Sequence, residues 1–290
     1  MLKEWPLVAF TIAGQTAVGA FLLLFPLLVL SPAGTAWSSA ARAKVLVVWG
    51  MTFGLVVIAA GLSFFHLHHP FRAHRTLANL RTSWLSREIF FEIAFMALVA
   101  LALLLVATGH TSGLFLRAVM GATAVAGLLF LVSMARLYAL ESVPPWDPGY
   151  IGLSFFLTTA ILGAMAMALV TGSPSGDRSY LSALWTASFF FIAGDLLIAV
   201  FVTPVYGVVG YRPAPSLRPP ARVSRLLYFG RLGLLAGGFV VLIKGMAAND
   251  VIAAGGRGPG PLLSVAFGLV LASEVAGRFL FYGLAPRPGD

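Results

Sequence analysis

Long apolar runs alternate with short polar stretches along the whole chain. An α-helix needs about 20 mostly apolar residues to cross the hydrocarbon core of a bilayer. Runs of that length predict eight transmembrane helices, at 6–30, 45–65, 89–109, 118–140, 151–171, 183–203, 226–247 and 261–283. No polar stretch between them is long enough for a soluble domain. The pattern therefore predicts one all-α integral membrane domain over residues 1–290, an eight-transmembrane-helix bundle with both termini on the same side.

The composition supports a membrane protein and limits its chemistry. Hydrophobic residues make up 59% of the chain and charged residues 10%, whereas a soluble domain is about one quarter charged. The formal net charge is +9, but there is no polar domain to present a nucleic-acid-binding surface. We expect membrane lipid or an acidic partner instead, and no nucleic acid. Cysteine is absent, which excludes disulfides and thiolate-bound iron–sulfur clusters in this chain.

The basic residues are distributed unequally between the two predicted faces of the membrane. We call side A the face with the termini and the loops 66–88, 141–150 and 204–225, and side B the opposite face. Side A carries Lys3, Arg72, Arg75, Arg81, Arg87, Arg212, Arg218, Arg222, Arg225 and Arg287, and side B carries Arg42, Lys44, Arg117, Arg178 and Arg257. Because Lys and Arg favour cytoplasmic loops, this count alone places side A in the cytoplasm.

Ionisable residues inside the predicted helices are costly and are frequently functional. Most lie in the half of the membrane nearer side A: Glu92, Arg136, Asp195, Arg231, Glu274 and Arg278. This distribution favours a polar pocket that opens on side A. Asp195 has no charged neighbour in the sequence, so we expect an ion pair with an arginine of another helix, with a proton relay as the alternative. Glu274 and Arg278 are one turn apart and can neutralise each other.

The densest polar segment lies between the second and third helices and contains four of the five histidines. His66 is the last residue of the second predicted helix or the first beyond it, and Glu88 is predicted to start the third, with Ser86 as its N-cap. Neighbouring packing of the two helices would bring His66 and Glu88 together at one membrane face. An imidazole can accept a hydroxyl proton near neutral pH, and a carboxylate can pass it on. This pair suits a hydroquinone, with Arg72 binding a quinone oxygen or the Glu88 carboxylate.

Several alternatives remain open at this point. From composition alone, the loop is better explained as a solvated basic segment with incidental histidines that binds lipid or protein. Metal binding by His66, His68 and His69 is less consistent with their spacing, and we predict no metal site. All five histidines lie at helix ends or in loops, which argues against bound haem. A proton-coupled secondary transporter using Asp195, Arg231 and Glu274 is the main rival function, although paired helix breaks are not evident. A membrane protease would need a Ser–His pair within the helices.

Short motifs along the whole chain resemble the membrane anchor subunit of dimethyl sulfoxide reductase-type molybdoenzymes, the DmsC family. Their order and spacing carry the resemblance more than any one of them. They are Glu4–Leu7 with Gly14 and Gln15, His66-Leu67 with Pro70 and Arg72, Ser83–Ile89, Met134–Tyr138, Val143–Trp146 and Ser273–Tyr282. Where relatives often have glycine after the His-Leu pair, this chain has His68.

The resemblance implies a function and partners. Family members have eight helices and no haem, oxidise menaquinol, and dock a four-cluster ferredoxin-like iron–sulfur subunit that supplies a molybdopterin catalytic subunit. Their quinol-oxidising His and Glu correspond to His66 and Glu88, which we take as the catalytic pair. Further quinol-binding candidates are Gln15, Arg72, Glu92, Arg136 and Tyr138. Candidates for partner docking on side A are Arg75, Arg81, Arg87, Arg212, Arg218 and Arg222.

The resemblance and the arginine count disagree about orientation. The family places its termini and quinol site on the periplasmic side of a bacterial or archaeal cytoplasmic membrane, whereas the count places side A inside. Basic residues that dock a protein partner can bias such a count, so we follow the family. The terminal substrate would be reduced on another chain.

Overall fold

The computed structural model describes residues 4–30, 37–66, 79–139, 146–171, 178–202, 221–247 and 260–283. Eight long helices lie within these ranges, and each is long and apolar enough to cross a membrane, as predicted. They are α1 (Trp5–Leu30), α2 (Ser39–His66), α3 (Trp84–Ala107), α4 (Leu114–Leu137), α5 (Pro148–Thr171), α6 (Arg178–Leu197), α7 (Ala221–Ala247) and α8 (Pro261–Gly283). A π-helical turn, Ile198–Val202, continues α6. The placement of both termini on one side stays a prediction.

The third helix begins earlier than predicted, and this changes the setting of Glu88. The backbone N–H of Ser86 donates to the Ser83 side chain at 3.3 Å, so Ser83 is the N-cap. The expectations that Ser86 caps the helix and that Glu88 starts it are therefore wrong. Glu88 lies in the second helical turn, and Ser86 is buried within the helix. The apolar run starts only at Ile89 because the first turns of this helix carry polar residues.

The helices pack around α1 and α5, which contact each other. α1 also contacts α2, α4 and α8, and α5 also contacts α2, α4, α6 and α8. The chain-neighbour pairs α3–α4 and α7–α8 pack extensively as well. Contact between α2 and α3 confirms the expectation that these two helices are neighbours. Most of α1, α4 and α5 is buried, whereas α2, α3, α6, α7 and α8 keep much of their apolar surface exposed. Exposed apolar faces on a bundle of this kind are expected to contact lipid.

The contact of α1 with α5 is a close one. A Cβ atom on Gly19 would lie 2.0 Å from the Thr159 carbonyl oxygen, and one on Gly163 would lie 2.4 Å from the Gly19 carbonyl carbon. The two backbones therefore touch at a pair of glycines. Membrane helices use small residues in this way, because close backbone approach maximises van der Waals contact where the hydrophobic effect is weak.

Gly163→Val is expected to destabilise the bundle by about 1–3 kcal/mol or more, because the added side chain must push α5 away from α1. The measurement is the thermal unfolding midpoint of the detergent-solubilised protein, followed by size-exclusion chromatography. Gly152→Val on the same helix is the matched control, since a Cβ there meets no atom within 4 Å. Equal unfolding midpoints for the two variants would contradict the glycine contact.

Candidate functional site

Two buried carboxylates lie on one face of α3. Glu88 and Glu92 are one helical turn apart, and each is only 3% exposed. In each, the Oε1 atom is buried and has no hydrogen-bond partner among the described residues. A buried carboxylate oxygen without a partner is costly, so such groups generally serve a proton, a ligand or a second charge.

The depth of Glu88 in the bundle follows from the packing of α3 against α4. A Cβ on Gly127 would lie 3.1 Å from the Phe95 ring, which marks a point of contact between the two helices. Glu88 precedes Phe95 by seven residues, and Met134 follows Gly127 by seven. Two turns along an antiparallel pair bring Glu88 level with Met134. Met134 in turn contacts Gln15 of α1, so all three lie at one depth.

Gln15 is fixed by an arginine from α8. Arg278 Nη2 donates to Gln15 Oε1 at 2.8 Å and lies 3.2 Å from Thr158 Oγ1 of α5. Because the Gln15 oxygen is occupied in this way, its Nε2 amide points to the opposite side, where Met134 Sδ lies at 3.7 Å. A thioether is a weak acceptor. The Gln15 amide is therefore a buried donor that can serve a stronger acceptor at the depth of Glu88.

A cluster of aromatic rings covers the same end of the bundle. Tyr138 is at its centre, with ring centroids of Tyr282, Phe281 and Trp146 at 5.3, 5.7 and 5.9 Å. The Arg278 guanidinium lies over the Phe155 ring at 3.8 Å, a cation–π contact. Residues from the Met134–Tyr138, Val143–Trp146 and Ser273–Tyr282 motifs therefore meet in space.

The Tyr138 hydroxyl is in an environment that favours its protonated form. Tyr138 caps the C-terminus of α4, just beyond the apolar span. Desolvation raises the pKa of Tyr138 well above its ordinary value, and the nearby Tyr282 and Glu88 raise it further. The Glu88 carboxylate is close enough for its charge to disfavour the Tyr138 phenolate. Tyr138 is therefore a phenol, able to donate a hydrogen bond, at neutral pH.

A buried ionic network continues from Arg278 into α6 and α7. Arg231 Nη2 contacts both oxygens of Asp195, at 2.9 and 3.0 Å, which confirms the expected pairing of Asp195 with an arginine of another helix. Arg231 also lies 3.8 Å from Glu274 Oε1. Thr158 Oγ1 donates to Glu274 Oε2 at 2.6 Å. Among the described residues no direct ion pair joins Glu274 and Arg278, but the Thr158 hydroxyl links them, and their opposite charges remain close enough to stabilise each other, as expected.

Other predicted residues lie in less informative positions. His66 is the last residue of α2, but its side chain is outside the described part of the structure, as is that of Arg222 at the start of α7. The remaining predicted residues outside the described ranges are His68, His69, Arg72, Arg75, Arg212 and Arg218. Arg136 is exposed beside the buried Ala135, so it does not join the buried cluster with Gln15 and Arg278.

Arg81, in the turn before α3, and Arg87, in the first turn of α3, differ in their surroundings. Arg87 donates to the carbonyl oxygens of Leu80 and Arg81, at 2.8 and 2.7 Å, and stacks over the Trp84 ring at 4.1 Å. Its guanidinium therefore holds the turn before α3. The Arg81 side chain is exposed. Arg81 remains the better docking candidate of the two.

The sequence left several members of the site undetected. Thr158 and Phe155 on α5, with Tyr282 on α8, were not predicted as site residues, although each contacts or neighbours Arg278 or Tyr138. The signal for Thr158 in the sequence is a pair of adjacent hydroxyl residues, Thr158-Thr159, in the middle of a mostly apolar helix. Within the described helices, no group of three or more His, Cys, Asp or Glu residues is placed to hold a metal ion.

Comparisons with known proteins agree on one family. Residues 1–210 match the profile of the DMSO reductase anchor subunit (DmsC). The sequence is 28% identical to one polypeptide of the anaerobic dimethyl sulfoxide reductase of Escherichia coli, over 97% of its own length and 94% of the relative. It is 29% identical to the polypeptide of the same name from Haemophilus influenzae, over 98% of its own length and 95% of that relative. No solved structure gives a significant match.

A shorter similarity involves a different kind of complex. Over 52 residues the sequence is 52% identical to one subunit of the sulfite dehydrogenase of Allochromatium vinosum, which covers 17% of this protein and 16% of that one. Subunits similar to this protein are therefore named for more than one oxidoreductase complex.

Proposed function

The chain belongs to the DMSO reductase anchor subunit (DmsC) family, and we propose that it oxidises menaquinol for a molybdopterin oxidoreductase and releases the protons on side A. The observation that carries this proposal is the pair of buried carboxylates, Glu88 and Glu92, with unpartnered oxygens at the end of the bundle where Gln15 and Tyr138 also lie. A hydroquinone supplies two hydroxyl protons and two electrons. Two carboxylates that can accept protons, next to side chains that can donate hydrogen bonds to the ring oxygens, fit that chemistry.

The residues of the site divide into proton acceptors and hydrogen-bond donors. We assign His66 and Glu88 as the catalytic pair, in which the imidazole accepts a hydroxyl proton and the carboxylate passes it towards side A. Glu92, one turn deeper, is a second acceptor. The Gln15 amide, which Arg278 orients, and the Tyr138 hydroxyl are the donors that would hold the oxygens of the head group. Arg72 completes this set as a quinol-binding candidate.

Electrons leave this protein through a partner, because it has no cysteine to hold an iron–sulfur cluster. We propose that a four-cluster ferredoxin-like iron–sulfur subunit docks on side A, against Arg81 and the basic loops around it, and supplies a molybdopterin catalytic subunit. The other docking candidates are Arg75, Arg212, Arg218 and Arg222.

The proposed function is tested by purification of the intact complex. We expect the chain to co-purify with an iron–sulfur subunit, and a menaquinol analogue to reduce the catalytic subunit only when the chain is present. A transporter would purify without such a subunit. A protein that purifies alone, and that leaves the reduced analogue unchanged after partners are added back, would contradict the proposal.

Thr82→Cys tests the proposed orientation, because the chain has no cysteine of its own. Thr82 is exposed in the turn before α3, on side A. We expect a membrane-impermeant maleimide to label Thr82→Cys from the outside of intact cells. Thr111→Cys, in the connection between α3 and α4 on side B, is the control and should be labelled only after the cells are opened. The reverse pattern would place side A in the cytoplasm.

A further inference from the structure

A chain of hydrogen bonds connects α8, α5 and α1 and ends at the Gln15 amide. Arg278 Nη2 donates to Gln15 Oε1 at 2.8 Å and to Thr158 Oγ1 at 3.2 Å. Thr158 Oγ1 in turn donates to Glu274 Oε2 at 2.6 Å. Each of these four side chains is at most 3% exposed. The chain is therefore shielded from bulk solvent along its length, and contacts within the protein set its geometry.

The direction of this chain follows from which atoms can donate. An arginine guanidinium donates hydrogen bonds and accepts none. The two hydrogens of Arg278 Nη2 match its two acceptors, Thr158 Oγ1 and Gln15 Oε1. Thr158 can accept from Arg278 because its own hydrogen goes to the Glu274 carboxylate. Gln15 must therefore present its oxygen to Arg278 and its N–H groups to the opposite side.

Arg278 is itself held by two side chains of α5. Its guanidinium carbon lies 3.8 Å from the centre of the Phe155 ring, and Thr158 follows Phe155 by three residues, on the same side of the helix. The ring supports the plane of the guanidinium, and the Thr158 hydroxyl holds one edge of it. Without that hydroxyl, Nη2 would lose one of its two acceptors and would be free to turn away from Gln15.

The surroundings of Gln15 suit a side chain that serves a ligand. A Cβ on the preceding residue, Gly14, would lie 3.0 Å from the Phe130 ring, so α1 is close to α4 at this level. The Nε2 end of Gln15 meets the Met134 thioether at 3.7 Å, which is a weak acceptor. A buried amide that only joined helices would be expected to have good partners at both ends. Gln15 has a strong partner at its oxygen and a weak one at its nitrogen.

We propose that Thr158 is a positioning residue for the quinol and acts through Arg278 on the Gln15 amide. This inference rests on the proposed function, in which Gln15 donates to an oxygen of the head group. Glu274 orients the Thr158 hydroxyl, the hydroxyl holds Arg278, and Arg278 turns the Gln15 N–H groups towards the head group. Gln15 then offers donors only, which selects a ligand oxygen that accepts hydrogen bonds at this position.

Thr158→Val tests the inference in the assembled complex, because valine keeps the shape of threonine but has no hydroxyl. We expect the KM for a menaquinol analogue to rise about 3- to 10-fold, the effect of losing one hydrogen bond, while kcat stays within about 2-fold of wild type. Thr158→Ser keeps the hydroxyl and should recover most of this loss. Thr159→Val is the matched control with a wild-type KM, because Thr159 Oγ1 donates to the Phe155 carbonyl of its own helix at 2.8 Å.

A second substitution shows whether the effect passes through Gln15. Gln15→Leu removes the donor and should raise the KM by itself. Thr158→Val should then add little in the Gln15→Leu background, because the group that it positions is gone. A hydroxyl with only a structural role would have its full effect in both backgrounds. If Thr158→Val does not assemble, Phe155→Leu, which removes the ring beside Arg278, is measured in the same two backgrounds and decides the question.

The failure of this inference can be distinguished from failure of the proposed function. A wild-type KM in Thr158→Val, an equal rise of the KM in both backgrounds, or a wild-type KM in Gln15→Leu would overturn the positioning role of Thr158. An inactive Glu88→Gln variant in the same experiments would leave the proposed function intact. A wild-type complex that does not oxidise quinol would reject the proposed function and, with it, this inference.

Discussion

Glu88→Gln is expected to reduce menaquinol oxidation by at least about 100-fold while the complex still assembles. Glutamine fills the same space but cannot pass on a proton. Assembly should be unaffected because the Glu88 Oε1 atom has no hydrogen-bond partner among the described residues, so the substitution breaks no contact of that atom. The measurement is the steady-state rate with a menaquinol analogue, together with the yield and the thermal unfolding midpoint of the purified complex.

Two companion variants show whether the effect is specific to the catalytic pair. His66→Gln should cause a comparable loss, because it removes the proposed first proton acceptor. Glu92→Gln should cause a smaller loss of about 10-fold, since it removes only the second acceptor. Wild-type rates in both Glu88→Gln and His66→Gln would reject this site, whereas a loss in all three with poor assembly would indicate a structural role.

Arg231→Gln is expected to destabilise the bundle by about 3–5 kcal/mol, the cost of leaving buried charge uncompensated. Asp195 would lose the partner that now lies 2.9 Å away, and Glu274 would lose its neighbouring cation. The double variant Arg231→Gln with Asp195→Asn should recover much of this loss, because it removes the unpaired charge as well. Folded yield in membranes and the unfolding midpoint in detergent are the measurements.

The outcome of this series distinguishes an ion pair from two independent residues. If Arg231→Gln is as stable as wild type, Asp195 does not depend on the arginine. If the double variant is no more stable than Arg231→Gln, the loss comes from packing of the Arg231 side chain and not from its charge. Asp195→Asn alone is the matched single variant for this comparison.

The lengths of the apolar runs predicted the eight helices, because the requirement to span the hydrocarbon core is visible in a single sequence. The start of α3 was missed for a related reason. Its first turns carry Ser86, Arg87 and Glu88, and a hydropathy pattern places the start of a helix only where the apolar residues begin. Only the Ser83 cap, which depends on backbone geometry, places Glu88 inside the helix.

The pairing of Asp195 could be anticipated, because a buried aspartate needs a cation and the sequence offers few within the helices. Its partner, Arg231, is identified only by the packing of α6 against α7. Thr158 illustrates what the sequence cannot specify. A threonine in a membrane helix normally donates to its own backbone, and the Ser154 carbonyl oxygen lies 2.9 Å from the Thr158 hydroxyl. Thr158 has one hydrogen to donate, however, and the Glu274 carboxylate is closer, at 2.6 Å, while the hydroxyl oxygen accepts from Arg278. That bridge depends on the rotation of α5 against α8.

Buried polar and aromatic side chains from different helices are in contact in the structure. The contacts of Arg278 with Gln15, of Arg231 with Asp195 and of Tyr138 with Tyr282 bring those residues to one end of the bundle. Arg136 does not join these contacts, because position along a helix does not specify which face of the helix a residue occupies. It lies near the expected end of α4 but on an exposed face.

Proton release by the complex reconstituted in vesicles shows on which side of the membrane the quinol protons leave and whether Glu88 is needed for their release. With menaquinol supplied in the lipid and an electron acceptor for the catalytic subunit, a pH-sensitive dye reports the compartment in which protons appear. We predict two protons per quinol in the compartment that exposes Thr82, and no release in the Glu88→Gln complex. Protons in the opposite compartment, or undiminished release in Glu88→Gln, would contradict the account.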